Sequence, residues 1–251
     1  MGLMARFIIA AAQRLLGKIG LQVVRKPACV EPVMPFDILE LALIKLLFEK
    51  KEDFYFVQIG ANDGVMNDFL NKLIRKYSLR GCLVEPMPDV YEDLKHNYRD
   101  QKQLEFRNVM IGDHPGTSEI YRFARNAPVP HEFFHGLARS DQKYINQRAK
   151  AEDLEAFTET VLCEMVTFAS FMDTLPIDHI RLLYVDTEGS DDKILDAAFR
   201  AGIFPDVINY EWTEMPLDRR CALKISLLDH GYRFVDVGAD TVCLRVNDGK
   251  A

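Results

Sequence analysis

FVQIGANDGVMND, residues 56–68, runs from a strand-forming stretch through a Gly60-Ala61-Asn62-Asp63-Gly64 corner straight into a helical pattern. A strand-to-helix turn built of small and polar residues lets a ligand come close to the backbone. Gly60 has no Cβ to hold it off, Asn62 and Asp63 tolerate unusual torsions, and the helix that begins there offers free N–H groups to a carboxylate or phosphate.

Outward from this corner, apolar runs of strand length alternate with helical periodicities. Leu39, Leu41, Leu43, Ile44 and Leu47 predict a helix over about 37–50, and Met66 to Tyr77 predict the helix after the corner. GCLVEP reads as a second strand, PDVYEDLKHNY as a helix opened by Pro88, LEFRNVMIG as a third strand and SEIYRF as a short extended piece. Residues 125–165 break the rhythm with Pro128, Pro130, Gly136 and a charged helical stretch, and predict an insertion over the domain with little core of its own. Alternation resumes at IRLLYVDTEG, SDDKILDAAFRAG (Ser190 as cap, Asp191 and Asp192 in the first turn) and PDVINYEW. The helix LDRRCALKISLLDHG follows, and YRFVDVGADTVCLRV closes the chain as a hairpin. This order predicts an α/β fold: a mostly parallel sheet covered on both faces, ending in an antiparallel C-terminal hairpin.

With 251 residues, 48% hydrophobic and 27% charged, the chain has core material for one large domain. A net charge of −7 argues against a simple polyanion binder, and no basic patch with interleaved aromatics points to nucleic acid. Five scattered cysteines without a CxxC pair predict reduced thiols in a cytoplasmic setting. Residues 1–35 stand apart: Arg6, Arg14, Lys18, Arg25 and Lys26 are unopposed until Glu31, and Phe7, Ile8, Ala11, Leu15, Leu16 and Ile19 fall at helical spacing. That is a basic amphipathic segment, suited to docking on the domain or, through residues 1–26, to resting on the inner membrane surface.

In a parallel sheet the ligand sits at the carboxyl ends of the strands, where the Gly60–Gly64 corner falls. Glu85, ending the second strand, stands where such folds hold a ribose by its hydroxyls. The corner is not the GxGxxG of a dinucleotide site. It suits a smaller, carboxylate-bearing cofactor, S-adenosylmethionine rather than NAD.

VQIGANDGVMN, CLVEPMPDVYEDLKHN, RNVMIGDHPGTSEIYRF, TFASFMDTL, IRLLYVDTEGSDDKIL and INYEW, in this order over about residues 54–212, resemble the FkbM family of S-adenosylmethionine-dependent methyltransferases. The resemblance implies a class I methyltransferase domain over 36–251, with a seven-stranded sheet, that methylates a hydroxyl of a sugar, glycan or natural product. By it, Gly60, Asn62, Gly64 and Asn67 line the methionine end of the cofactor, Glu85 takes the ribose, Asn108 or Asp113 lies near the adenine, and Ala61 and Pro86 also belong to the cofactor site. Gln58 stands where the family usually has an acid that contacts the cofactor amine, and Asn67 where Ser or Thr is commoner.

Methyl transfer to a hydroxyl requires alignment and a group that takes the proton. Asp186 and Glu188, which share a face if the strand stays extended, and Glu211 at the end of the next strand are the candidate bases. Three carboxylates in one cleft raise at least one pKa or invite Mg²⁺. HEFFH, residues 131–135, matches the zincin pattern, but flanking Pro128, Pro130 and Gly136 argue against the sustained helix a zinc hydrolase needs, so a catalytic zinc is not expected there. A non-catalytic adenosyl-binding scaffold is the other alternative, suggested by Gln58.

Overall fold

The computed structural model describes residues 37–66 and 68–246. The basic segment 1–35 lies outside the described residues, and so does Asn67.

Seven strands form one sheet: β1 (Phe56–Ile59), β2 (Gly81–Val84), β3 (Leu104–Arg107), β8 (Leu182–Val185), β9 (Val207–Glu211), β10 (Tyr232–Val237) and β11 (Asp240–Arg245). Their order is β10-β11-β9-β8-β1-β2-β3. The five central and outer strands β3, β2, β1, β8 and β9 are parallel, whereas β11 enters antiparallel between β9 and β10, as the hairpin reading expects. A short turn cannot return a chain in the parallel sense, so hairpin length alone forces this.

Residues of β1 alternate between the two cores. Phe56 packs with Leu43, Leu70 and Leu94 under α1 (Ile38–Lys50), α2 (Phe69–Tyr77) and α3 (Pro88–Asn97). Val57 and Ile59 face the other way, toward α5 (Phe168–Met172), α6 (Asp191–Arg200) and α7 (Leu217–Asp229). Gln58 belongs to neither core although it is only 2% exposed.

A second sheet, β4-β7-β5-β6, comprises β4 (Met110–Gly112), β5 (Gly116–Phe123), β6 (Ala138–Arg139) and β7 (Thr158–Thr167). It corrects two sequence expectations. LEFRNVMIG is not one strand: Asn108 donates to the carbonyls of Glu85 and Pro86 (2.8 and 2.9 Å) and turns the chain, leaving β3 in the main sheet and β4 in the second. SEIYRF is not a short extended piece but part of β5, which pairs with β7 over eight residues. Residues 125–165 also carry more core than their polarity suggests. Phe134, Leu137, Ile145 and Ala149 pack with Phe123 of β5, and α4 (Gln142–Ala151) closes over them.

Candidate active site

The strand order changes direction between β1 and β8, so their carboxyl ends open a crevice. A cavity of about 190 Å³ lies there. On the same measure one water needs only about 10–15 Å³, so this is room for a ligand. Gln58, Gly60, Ala61, Asn62, Glu85, Pro86, Asp186 and Glu188 line it, together with Met66, Asp68, Met110, Gly136, Arg139 and Ser140.

Backbone geometry forces the glycine at its base. Gly60 has φ +81°, and a Cβ there would lie 1.9 Å from the Asp186 carbonyl oxygen, so β1 and β8 can approach this closely only without a side chain. Its N–H donates to Val84 O (3.0 Å), while that of Asp186 donates to Ile59 O (3.0 Å), and the strands part beyond these bonds.

Glu85 is 4% exposed. Its Oε2 accepts the Asn62 N–H and its Oε1 the Met87 N–H, both at 2.9 Å. Burial nevertheless pushes its pKa up to about 7, against the pull of those two bonds. Each oxygen keeps a lone pair for a hydroxyl donor. Gln58 Oε1 is buried without a hydrogen-bond partner, and an unsatisfied acceptor in a cavity wall calls for a donor from a ligand. Asp68 accepts the N–H groups of Leu70 and Asn71 as the cap of α2, and burial raises its pKa.

The β8 side is built by Asp191. It is fully buried and accepts from the Thr187 N–H (3.3 Å), the Thr187 hydroxyl (2.9 Å) and the Glu211 N–H (3.2 Å), binding the β8 loop to the end of β9. Ser190, the expected cap, occupies the cap position without a side-chain bond, because Asp191 turns back into the loop instead. Extended backbone does not persist to Glu188: β8 ends at Val185, and Glu188 (φ +54°) and Gly189 (φ +96°) are left-handed. Asp186 and Glu188 reach the same cavity through this bend rather than through strand alternation. Burial, then the charges of Asp191, Glu188 and Glu211, holds the Asp186 pKa well above the carboxylate range. Burial and then Glu211 push Glu188 up to about 7, with Arg139 pulling the other way.

Four predicted residues do not line the cavity. Gly64 (φ +72°) is required by packing, since a Cβ would sit 2.4 Å from the Tyr98 ring. Asn108 shapes the Glu85–Pro86 turn from behind. Asp113 is exposed and pairs with Arg200 at 3.0 Å, away from the cavity. Glu211 stands outside the wall, accepts the Thr213 hydroxyl, and acts on Asp186 and Glu188 by charge alone. Conversely, sequence reading missed Asp68, whose signal was a capping aspartate before an apolar helix, and Arg139, which carried none. Within HEFFH only Glu132–His135 form a 3₁₀ helix, with His131 before its start, which does not give the one-turn histidine pairing of an α-helix. Among the described residues, no group of three or more His, Cys, Asp and Glu is placed to hold a metal ion.

A parallel sheet with β11 inserted antiparallel, and a glycine corner and a buried acid at its switch point, defines the class I methyltransferase fold. The family profile described as the Methyltransferase FkbM domain matches residues 58–234. The chain belongs to the FkbM methyltransferase family, and it is an S-adenosylmethionine-dependent methyltransferase. No curated protein matches it by sequence. Among solved structures it is similar to an RNA methyltransferase of Salinibacter ruber in complex with S-adenosylhomocysteine (13% identity, 85% of this chain and 94% of that one, TM-score 0.39). It is also similar to a precorrin-6y C5,15-methyltransferase of Geobacter metallireducens (12%, 81% and 84%, TM-score 0.40). A third is the S-adenosylhomocysteine-bound methyltransferase of Podospora anserina (7%, 82% and 77%, TM-score 0.43).

The residues present fit the cofactor. The unpartnered Gln58 Oε1 suits an ammonium donor, the Glu85 carboxylate suits ribose hydroxyls, and an acidic wall suits a ligand carrying net positive charge. Among the described residues, no helix is long and apolar enough to cross a membrane.

Proposed function

We propose that the chain methylates a hydroxyl of a sugar, glycan or natural product, and that Glu188 takes the proton of that hydroxyl. The observation that carries this reading is the position of Glu188 in the cavity wall, on the β8 loop beside Asp186, with a pKa pushed up to about 7. A base is most effective when its pKa lies near the working pH, and burial brings Glu188 there. When bound, S-adenosylmethionine supplies a methyl group on a positively charged sulfur. Glu85 holds the ribose hydroxyls, the Gly60–Asn62 backbone admits the amino-acid end, and Gln58 Oε1 accepts from the ammonium. Asp191 fixes the loop that carries Asp186 and Glu188, so the base keeps its aim on the hydroxyl. Residues 125–165 cover the acceptor side.

Glu188→Gln keeps the shape and removes the base. Labelled-methyl incorporation into extract should fall by about 10²–10⁴, while calorimetry finds S-adenosylhomocysteine bound as before. In the native protein the rate should climb with pH and level off above about 7, because only the ionised form accepts a proton. Undiminished turnover in Glu188→Gln overturns the assignment.

A further inference from the structure

Two arginines of the second sheet are almost fully buried, and they are used very differently. Arg122 of β5 is saturated: Nη1 and Nη2 grip Asp89 at 3.0 and 2.8 Å, and Nε donates to Glu159 at 2.7 Å. Arg139 of β6 has a side chain only 9% exposed, yet among the described residues its one ion pair is Nη2 to Glu214 at 3.5 Å, and its Nε is buried without a hydrogen-bond partner. Its Cζ sits over the Tyr144 ring, 3.9 Å from the centroid. Nη2 rests against Gly189, where a Cβ would come within 2.6 Å, so the glycine after Glu188 leaves room for it.

Among the described residues of the cavity wall, Arg139 is the one cation, set among Asp68, Glu85, Asp186 and Glu188. The charge of Arg139 also pulls down the Glu188 pKa, but that leaves its N–H donors unspent, and a neutral hydroxyl acceptor does not compensate a desolvated guanidinium. The fork of a guanidinium matches carboxylate and phosphate oxygens. Glu214 is 35% exposed and held only at long range, so it can turn to solvent when a better anion arrives.

Resting on the methyl-transfer reading above, we infer that the acceptor bears an anionic oxygen group, carboxylate or phosphate, near its reacting hydroxyl, and that Arg139 binds it. Arg139 and Glu188 then read the two halves of one acceptor: an anion on the covering sheet, a hydroxyl on the β8 loop.

The test uses inorganic phosphate and acetate as separate probes on the full chain loaded with S-adenosylhomocysteine, at ionic strength held constant with chloride. The Nε–H of Arg139, assigned by its loss in Arg139→Lys, is followed by nitrogen-resolved NMR. One or both anions should shift it saturably and glycerol should not, and which anion acts distinguishes a phosphorylated from a carboxylated acceptor. Anion stabilisation against heat should weaken about tenfold or more in Arg139→Gln, with S-adenosylhomocysteine still bound. A loaded protein that responds to neither anion, or whose Arg139→Gln variant responds like the native chain, overturns the inference and leaves the methyltransferase reading standing. Failure of the native chain to bind S-adenosylhomocysteine overturns both.

Discussion

Glu85 shows how far one residue's chemistry can be read from its place in the chain. Order alone pointed to it: strand, corner, helix, then an acid closing the next strand. What the sequence does not disclose is that both carboxylate oxygens are already engaged by the Asn62 and Met87 amides and that burial lifts the pKa to about 7. These depend on how the corner folds back over β2, a matter of three-dimensional approach. Hydroxyl donors stabilise the ionised form, so cofactor binding lowers this pKa and releases protons at neutral pH. Affinity should therefore rise as pH increases through about 7. Glu85→Gln should weaken cofactor binding by about 10- to 100-fold, the loss expected for hydrogen bonds to a charged group, and should flatten that rise. Calorimetry in buffers of different ionisation heat reads both, and an equal affinity in the variant removes the ribose assignment.

At the scale of elements, the second sheet is fastened to the first by charge as well as by apolar contact. Arg122 on β5 reaches Asp89 at the start of α3 and Glu159 on β7, beside the small core of Met87, Val90, Ile120 and Cys163. Burial raises the Asp89 pKa, but Arg122 and Arg125 outweigh it and hold it down at about 2. Removing Arg122 leaves two carboxylates without their main partner. Because both are more than a third exposed, Arg122→Ala should cost about 1–3 kcal/mol rather than the 3–5 of a fully buried pair. Urea denaturation measures it, and a loss within error would mean that apolar contact alone holds the sheet. This sheet is also where sequence reading was weakest. β1, β2, β8 and β9 are buried along nearly their whole length and announce themselves as apolar runs. β7 buries only Cys163 and Met165 of ten residues and leaves Leu162 largely exposed, so it carries no such run. Arg139 was invisible for the same reason: it enters the cavity from a two-residue strand whose pairing is decided by β5.

For the molecule as a whole, acidity is concentrated where the sheet opens. The net charge of −7 is a composition fact, but only the fold collects Glu85, Asp186, Glu188, Asp191 and Asp240 where burial raises every one of their pKa values. Glu85 and Glu188 rise to about 7, Asp191 and Asp240 to about 6, with burial the first cause in each. In the folded chain these groups keep protons that the unfolded chain gives up near its ordinary values of 3.8 and 4.5. Folding stability must then fall as pH rises from about 4 to about 7 and level off above. Asp89 works in the opposite sense, but its contribution is complete above about 4 and is lost only toward 2. The cofactor-free protein should thus be most stable in mildly acidic solution, with Glu85 alone worth on the order of 3 kcal/mol between the two limits. Urea midpoints of dilute protein, taken from about pH 5 to about pH 8, should decline steadily, and Glu188→Gln should reduce the decline. A saturating ligand with net positive charge favours the ionised carboxylates and should flatten the curve. Midpoints that climb with pH in the ligand-free protein would mean that these carboxyls ionise freely in the folded state, and the crevice would then lack the proton-holding character on which the role of Glu188 depends.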